Sequence, residues 1–279
     1  MRTVAVINSK GGSGKTTTAV STAAAIAERG MRVLLVDLDP QASASAWLAR
    51  PSEDRGAFDA FVGTRDLGSC AQETQVPGLQ IVPASPWLVT AERTLMGDLG
   101  VGVMRAVERL KNSWDFVIID CPPSLSYLSV GALMAVNEVI IPIEAHSIAL
   151  PGVDAIVNEI DRLRARLNTS LRDPMILPCR VNRTIHSRRV IEELDRRYGR
   201  LVAKATIRES IRLAEAASAN MPITDYDPLG GASQDYRAFA EELIAHQLED
   251  RPPAPRHISL FHRILARTPP AEALRRVSH

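Results

Sequence analysis

Residues 3–16 read Thr-Val-Ala-Val-Ile-Asn-Ser-Lys-Gly-Gly-Ser-Gly-Lys-Thr. The apolar, β-branched run 3–8 predicts a strand, and the Ala-rich residues 15–29 after the glycines predict a helix. A glycine-rich turn between a strand and a helix presents successive backbone N–H groups at a helix N-terminus, where the helix dipole favours an anion. The segment therefore predicts a phosphate-binding loop.

The same alternation of short apolar runs and longer helical patterns continues along the chain, which is typical of βαβ units. The other predicted strands are 32–37, 79–83, 116–120, 138–142 and 175–181. The other predicted helices are 90–111, 150–167, 188–198 and 232–248. Because the strands are almost continuously apolar, as strands covered on both faces are, we predict an α/β fold with a mostly parallel twisted sheet flanked by helices on both faces.

Composition excludes several classes of protein. The chain has 279 residues, of which 46% are hydrophobic, enough for a sizeable core. The longest apolar region, 132–151, is interrupted by polar residues and proline, and falls short of the roughly 20 apolar residues of a membrane helix. Its three cysteines lack the spacing of a zinc or redox motif, so we expect buried thiols in a cytoplasmic protein without stable membrane insertion: Cys70, Cys121 and Cys179.

The net charge of +1 conceals two basic segments. Residues 180–212 hold ten Arg and Lys against four acids, a charge of +6, and residues 251–279 hold six Arg against one acid, a charge of +5. The Pro-rich stretch 251–255 reads as a semi-rigid linker. We therefore predict a domain over 1–249 and a linker with a basic tail over 250–279. The tail either docks on the domain or is partly disordered, or it forms a partner or membrane-surface helix.

The residue types of the loop fit a nucleoside triphosphate. Lys15 can reach the β- and γ-phosphates, and the Thr16 hydroxyl can bind Mg²⁺. Thr17 follows, where it could hold the α-phosphate. ATP and Mg²⁺ are thus the predicted cofactors, and the remaining predicted nucleotide contacts are Lys10, Gly11, Gly12, Ser13 and Gly14.

The loop departs from the standard motif G-x-x-x-x-G-K-[ST] because Ser9 replaces the first glycine and Lys10 follows it. The form K-G-G-x-G-K-[ST] resembles the deviant Walker A motif of the ParA/MinD superfamily. That resemblance implies an ATPase that works as a nucleotide-sandwich homodimer, in which Lys10 crosses to the partner's ATP. Its charge would act on the transferred phosphoryl group, as an arginine finger does. Lys10 and Lys15 are therefore candidate catalytic residues.

Two further segments match the family. Residues 35–41, Leu-Val-Asp-Leu-Asp-Pro-Gln, end the second predicted strand. The resemblance makes Asp39 the catalytic carboxylate that orients or activates the attacking water, a role that needs an acceptor within about 3 Å. It places Asp37 in the Mg²⁺ shell. Residues 117–124, Val-Ile-Ile-Asp-Cys-Pro-Pro-Ser, match the family's Walker B and switch II segments, with Asp120 beside the metal.

Within the superfamily the likeness is to the short, Soj-like ParA proteins, and it covers about residues 2–248. Where MinD proteins carry Gly-Leu-Arg-Asn after the second Asp of 37–39, this chain continues Pro-Gln-Ala-Ser. The C-terminal likeness lies in three short segments: 211–216, 226–228 and 236–242. One departure is 207–210, where Ile-Arg-Glu-Ser replaces the usual Ile-Pro-Arg-Asn, and Asn182 is then the candidate contact for the adenine base.

The resemblance also gives the basic segment 180–212 a role, as a non-specific DNA surface on the dimer. Arg183 and Arg212 match family positions linked to DNA contact. Additional candidates are Arg188, Arg189, Arg196 and Arg197. Acidic residues interleave with these four, so helical i,i+4 ion pairing is the alternative. Phosphate contacts of this kind are independent of sequence and weaken steeply with salt.

The implied function is an ATP-driven cycle on the nucleoid. The dimer holds DNA, and a ParB-like or cargo-adaptor partner stimulates hydrolysis and releases it, which segregates plasmid or chromosome DNA or positions another cargo. The alternative is a MinD-like membrane-cycling ATPase that uses the tail around Phe261 and Ile264 as its anchor. An electron-transfer ATPase like the nitrogenase iron protein is disfavoured, since the cysteines do not supply paired cluster ligands.

Overall fold

A computed structural model describes residues 1–49, 56–95, 97–110, 113–123, 126–145 and 150–246. Within them, seven strands form one sheet in the order β3-β4-β2-β5-β1-β6-β7. Neighbouring strands are parallel except β3 and β4, which are antiparallel. The strands are β1 Arg2–Val6, β2 Val33–Asp37, β3 Gln72–Glu73, β4 Leu79–Val82, β5 Phe116–Asp120, β6 Glu138–Glu144 and β7 Met175–Cys179.

Helices cover both faces of the sheet, which confirms the predicted fold class. One face packs against α1, α2 and α9 to α11, and the other against α3 to α8. In chain order the helices are α1 Lys15–Ala27, α2 Ser43–Leu48, α3 Ala57–Phe61, α4 Trp87–Leu95, α5 Gly97–Glu108, α6 Tyr127–Ala135, α7 Leu150–Arg166, α8 Ile185–Tyr198, α9 Arg212–Ser218, α10 Ile223–Tyr226 and α11 Gly231–Ala245.

Successive side chains of the central strands alternate between the two layers of the core. In β1, Ala5 belongs to the cluster beneath α3 to α8, whereas Val4 and Val6 belong to the cluster beneath α1 and α11. All three side chains are fully buried. Successive residues of a strand point to opposite faces, so a central strand needs apolar residues at every position. This is why the strands read as continuous apolar runs in the sequence.

Five of the structure's helices were not predicted from sequence, and neither was β3. They are short: α2, α3, α6, α9 and α10 span nine residues or fewer, and β3 spans two. The predicted helix 90–111 corresponds to α4 and α5, which begin at Trp87 and end at Glu108. The predicted linker and tail, 250–279, lie outside the described residues. No helix in the described ranges is both long enough and apolar enough to cross a bilayer.

Two glycines allow α5 and α6 to pack backbone against backbone. A Cβ atom added at Gly131 would lie 2.7 Å from both the Cα and the carbonyl oxygen of Gly100. Real Cβ atoms do not approach that closely, and both atoms of Gly100 belong to the backbone, so neither can move aside as a side chain could. This contact fixes α6, the helix that follows the β5 loop, against the rest of its layer.

We expect Gly131→Ala to destabilise the protein. Alanine in a helix interior normally stabilises by about 0.5–1 kcal/mol relative to glycine. Here the added methyl group overpacks the α5–α6 contact, at a cost of about 1–3 kcal/mol. Thermal unfolding of the two proteins measures the sign directly, and Gly131→Ser should lower Tm further. A higher Tm for Gly131→Ala would contradict the close packing.

Candidate nucleotide site

Parallel pairing brings the predicted site residues to one edge of the sheet. Asp120 at the end of β5 lies opposite Val6 of β1 on one side and Asp37 of β2 on the other. β6, which ends at Glu144, pairs with the far side of β1. Ligands of open α/β sheets bind at the carboxyl ends of the strands. The phosphate loop therefore leaves β1 in the middle of a group of functional side chains.

The glycine loop has the backbone shape that its sequence predicts. Gly12 and Gly14 have φ angles of 75° and 86°, a region that favours glycine. A Cβ atom added at Gly11, Gly12 or Gly14 would meet no other atom within 4 Å, so the space in front of the loop is open. The Gly14 carbonyl accepts the Thr18 N–H at 2.8 Å and starts α1. An anion can thus approach the loop and the N-terminus of α1.

A cleft of about 450 Å³ opens in front of this loop. Among its lining residues, those predicted from sequence are Gly11, Gly12, Gly14, Lys15, Thr16, Thr17 and Asp39. The opposite wall, which sequence analysis missed, includes Trp47, Ala217 and Asn220. The Trp47 indole N–H donates to the Met221 carbonyl at 2.9 Å and thereby joins α2 to the segment after α9.

Lys15 points into the centre of the site. The residue is 7% exposed, and its Nζ donates to the Lys10 carbonyl oxygen at 3.2 Å. Burial lowers its pKa, and the negative charges of Asp120 and Asp39 oppose that shift. A largely buried ammonium beside two carboxylates is suited to binding a phosphate, because the phosphate adds negative charge where the protein has placed a cation.

Asp37 holds the neighbouring loop in place. Its carboxylate accepts hydrogen bonds from the Asp39 N–H at 3.0 Å, from the Ser45 N–H at 2.8 Å and from the Ser45 hydroxyl at 2.7 Å. Burial raises its pKa to about 6, against the effect of these hydrogen bonds. Both oxygens are therefore already used within the protein, and the role of Asp37 in the Mg²⁺ shell remains a prediction. Ser45, which sequence analysis missed, also accepts the Ala84 N–H at 2.7 Å.

Asp39 faces the cleft from a tight turn. Its Oδ1 accepts the Gln41 N–H at 2.9 Å, and its carbonyl accepts the Ala42 N–H at 2.8 Å. An aspartate that closes such a turn has its carboxylate fixed in direction. Its backbone N–H is fixed as well, by the bond to Asp37. Its carboxylate is therefore held in one direction on the cleft wall, and its role in orienting the attacking water remains a prediction.

Asp120 is the carboxylate that best fits a metal. It is fully buried, and neither of its oxygens has a hydrogen-bond partner of normal geometry among the described residues. Burial and the charge of Asp37 raise its pKa well above the usual value, and the nearby Thr16 hydroxyl opposes that shift. A buried carboxylate without partners is costly. Mg²⁺ is commonly held by one or two carboxylates together with substrate phosphates, so Thr16 and Asp120 fit the ion.

Lys10 and Ser13 complete the loop. The Lys10 N–H donates to Asn8 Oδ1 at 3.0 Å, and its Nζ donates to Glu144 Oε2 at 2.7 Å within the same subunit. The Ser13 side chain is turned inward: the residue is 1% exposed, and its hydroxyl has no partner in the described part of the chain. Any contact of Ser13 with nucleotide is thus through its backbone N–H.

The loops that carry the basic segment are joined beside β7. The Val181 N–H donates to the Ile207 carbonyl, and the Glu209 N–H donates to the Val181 carbonyl, at 3.0 and 2.9 Å. Asn182 Nδ2 donates to Glu209 Oε2 at 3.2 Å. The described residues that line the cleft do not include Asn182, so its adenine contact remains a prediction.

Ion pairing separates the candidate arginines into two groups. Arg196, Arg197 and Arg212 bind Glu193, Asp154 and Glu215 respectively. Of these pairs, only those of Arg196 and Arg212 lie within one helix, at a spacing of three residues. The second group is exposed and makes no ion pair with the described residues: Arg183, Arg188 and Arg189. This second group is better suited to bind phosphates, since no carboxylate has to be displaced.

Comparison with known proteins identifies the family. The sequence profile of the family AAA_31, described as an AAA domain, matches residues 1–173. The chain is 37% identical to the sporulation initiation inhibitor protein Soj of Bacillus subtilis, over 87% of this chain and 98% of Soj. It belongs to the ParA family. Another relative in that family, the chromosome partitioning protein ParA of Caulobacter vibrioides, is 33% identical over 88% of this chain and 95% of its own.

Solved structures agree with this fold. Cobyrinic acid a,c-diamide synthase from Mycobacterium smegmatis, with bound ADP and magnesium, matches with a TM-score of 0.75 and 31% identity. That match covers 88% of this chain and 95% of the synthase. MinD from Pyrococcus horikoshii, complexed with Mg-ADP, matches with a TM-score of 0.70 and 23% identity over 87% of this chain, which supports the fold alone.

We expect Asp120→Asn to raise Tm at pH 8 in EDTA. Because folding raises the pKa of Asp120, the folded state binds more protons than the unfolded chain, and stability falls as rising pH ionises the buried group. Removing an unpartnered buried charge should gain about 1–3 kcal/mol. Each kcal/mol corresponds to roughly 2–4 °C in a domain of this size.

The gain from Asp120→Asn should shrink as the pH is lowered, because the raised pKa lets the buried wild-type carboxyl group take up a proton at a higher pH than a free carboxyl group does. Asp115→Asn is the matched control. Asp115 is exposed, and its hydrogen bonds to Arg32 lower its pKa to about 2, so its removal should not raise Tm at any of these pH values. Equal or lower stability of Asp120→Asn at pH 8 would show that the buried carboxylate carries no such cost.

Proposed function

We propose that the chain is an ATPase that dimerises around ATP and holds DNA non-specifically while dimeric. Hydrolysis, stimulated by a partner, separates the dimer and releases the DNA. The observation that carries the proposal is the meeting of Lys15, Thr16 and Asp39 at one cleft, with Asp120 buried close to Thr16 and Lys15 and a second lysine, Lys10, on the same loop. The 37% identity to Soj supports it.

Each residue has a defined part in this mechanism. Lys15 and the loop N–H groups bind the β- and γ-phosphates. Thr16 and Asp120 would hold Mg²⁺, which would supply positive charge to neutralise the phosphates. Asp39 accepts a hydrogen bond from the attacking water and orients it in line with the γ-phosphate. Lys10 of the second subunit stabilises the charge that develops on the transferred group. Each active site is complete only in a dimer.

The use of this cycle is proposed from the named relatives. Soj and the Caulobacter ParA are sequence relatives at 37% and 33% identity, and the latter is named for chromosome partitioning. We therefore propose that the protein acts on the nucleoid, in the cytoplasm, and segregates chromosome or plasmid DNA with a ParB-like partner. Positioning of another cargo through an adaptor protein would use the same biochemistry.

The proposed DNA contacts are the three exposed arginines that make no ion pair with the described residues: Arg183, Arg188 and Arg189. We expect Arg183→Glu and Arg188→Glu each to weaken ATP-dependent binding to long non-specific DNA by about tenfold or more at low salt, because each replaces a phosphate-binding cation with an anion. The salt dependence of the remaining binding should become shallower. Co-sedimentation with DNA over a salt series measures both effects.

The matched control is Arg196→Glu, because Arg196 lies with Arg188 on helix α8. Arg196 already binds Glu193 through two hydrogen bonds, of 2.9 and 2.6 Å, so its charge is less available to DNA. The Arg196→Glu variant should therefore weaken DNA binding less than Arg183→Glu does. Equal losses for all three variants would contradict the proposed contacts, and ATP-dependent pelleting with liposomes but not with DNA would favour the membrane-cycling alternative.

A further inference from the structure

The side chain of Lys10 is held within its own subunit by Glu144. The two charged groups are 2.7 Å apart, and the side chains of Lys10 and Glu144 are 42% and 12% exposed. The backbone is held too, since Asn8 accepts the Lys10 N–H and donates to the Pro142 carbonyl at 2.6 Å. These bonds attach the start of the phosphate loop to β6.

Glu144 has a second cationic partner. Its other oxygen, Oε1, accepts from Arg180 Nη1 at 2.6 Å. β6 and β7 pair so that Glu144 lies opposite Cys179, which puts Arg180 one residue beyond the strand. Arg180 has a φ of 53°, an uncommon backbone conformation for a residue with a side chain. The chain thus accepts local strain at the residue whose guanidinium meets Glu144.

This arrangement conflicts with the role proposed for Lys10. A lysine that binds Glu144 in its own subunit cannot at the same time reach the nucleotide of a second subunit. Forming the dimer therefore requires that two such ion pairs be broken, one in each subunit. When Lys10 leaves, Arg180 remains on Glu144 and keeps the largely buried carboxylate paired, which lowers the cost of release.

We propose that Glu144 is a positioning residue that retains Lys10 in its own subunit and thereby sets how readily the ATP-bound dimer forms, with Arg180 as the residue that makes the exchange reversible. The inference rests on the trans role proposed for Lys10. Its consequence is that Glu144 and Arg180 have opposite effects on dimerisation. Glu144 opposes dimerisation, and Arg180 favours it.

The test is the dimer dissociation constant with a non-hydrolysable ATP analogue and Mg²⁺, measured by sedimentation over a range of protein concentrations. A partly exposed ion pair changes an equilibrium by about two- to fivefold, and a dimer breaks two of them, so Glu144→Gln should tighten the dimer by about four- to 25-fold. Arg180→Gln should weaken it. The double variant should resemble Glu144→Gln, because Arg180 acts through Glu144.

The matched control is Glu138→Gln, at the other end of β6. Glu138 also binds a cation, Arg2, and its side chain is 8% exposed, but it lies away from the loop. The Glu138→Gln variant should leave the dimer dissociation constant unchanged. ADP affinity, which reports the monomer, should be the same in Glu144→Gln as in the wild type, so a change in dimerisation does not reflect a damaged phosphate site.

The outcomes separate the two proposals. A wild-type protein that stays monomeric with the analogue would overturn the proposed function itself. A wild type that dimerises, with Glu144→Gln equal to it or weaker, would overturn the role of Glu144 alone. Arg180→Gln that dimerises more tightly than the wild type would also overturn it, since the arginine would then be holding the subunits apart.

Discussion

The register of the three central strands β2, β5 and β1 is the constraint on which the site depends. Asp37, Asp120 and Val6 lie side by side on β2, β5 and β1, and each marks the last paired residue of its strand. The loops that follow must therefore share one edge of the sheet. A shift of one residue in any of these strands would turn its alternating side chains to the opposite layer and bury a different set in each core. The fold and the site are consequently fixed by the same hydrogen bonds.

This edge is electrostatically costly. Two buried carboxylates, Asp37 and Asp120, have raised pKa values, and the ammonium of Lys15 between them and the cleft has a lowered one. Burial is the largest cause of each shift. Three charged groups thus lie where each would be more stable in water. The two apolar layers of the core offset that cost, and the oxygens of Asp120, which have no hydrogen-bond partner of normal geometry among the described residues, are suited to a cation.

The sequence predicts the strands and the phosphate loop because both depend on local pattern. Residues 3–16 encode a strand, the positive-φ glycines and the start of α1 with almost no reference to the rest of the chain. The cleft wall at Trp47 and Asn220 was not predicted, since α2 and α9 are too short for a clear helical period and meet only after folding. The role of Ser45 was missed for the same reason: its partners, Asp37 and Ala84, come from two different loops.

The ion pairs of the basic residues could not be predicted from the sequence either. The acids around Arg188 and Arg189 suggested helical pairing, yet those arginines make no ion pair with the described residues, whereas Arg212 binds Glu215. Arg197 binds Asp154, which is 43 residues away on α7. In the sequence Glu144 is only one of the polar residues that interrupt the apolar region 132–151, and its contact with Lys10 spans 134 residues. The tertiary fold decides which cation binds which anion. The spacing of residues along one helix cannot predict this.

The central claim is that each active site uses a lysine from the other subunit. Mixing Lys10→Ala with Asp39→Ala subunits tests it most directly. Each variant alone should be nearly inactive, because every site lacks either the crossing lysine or the carboxylate. In a mixed dimer, the nucleotide bound to the Lys10→Ala subunit has its own Asp39 and the partner's lysine. Since half of the dimers in an equal mixture are mixed and each has one complete site, ATPase activity should return to about a quarter of the wild-type rate. A mixture no more active than the sum of the two separate variants would contradict the claim.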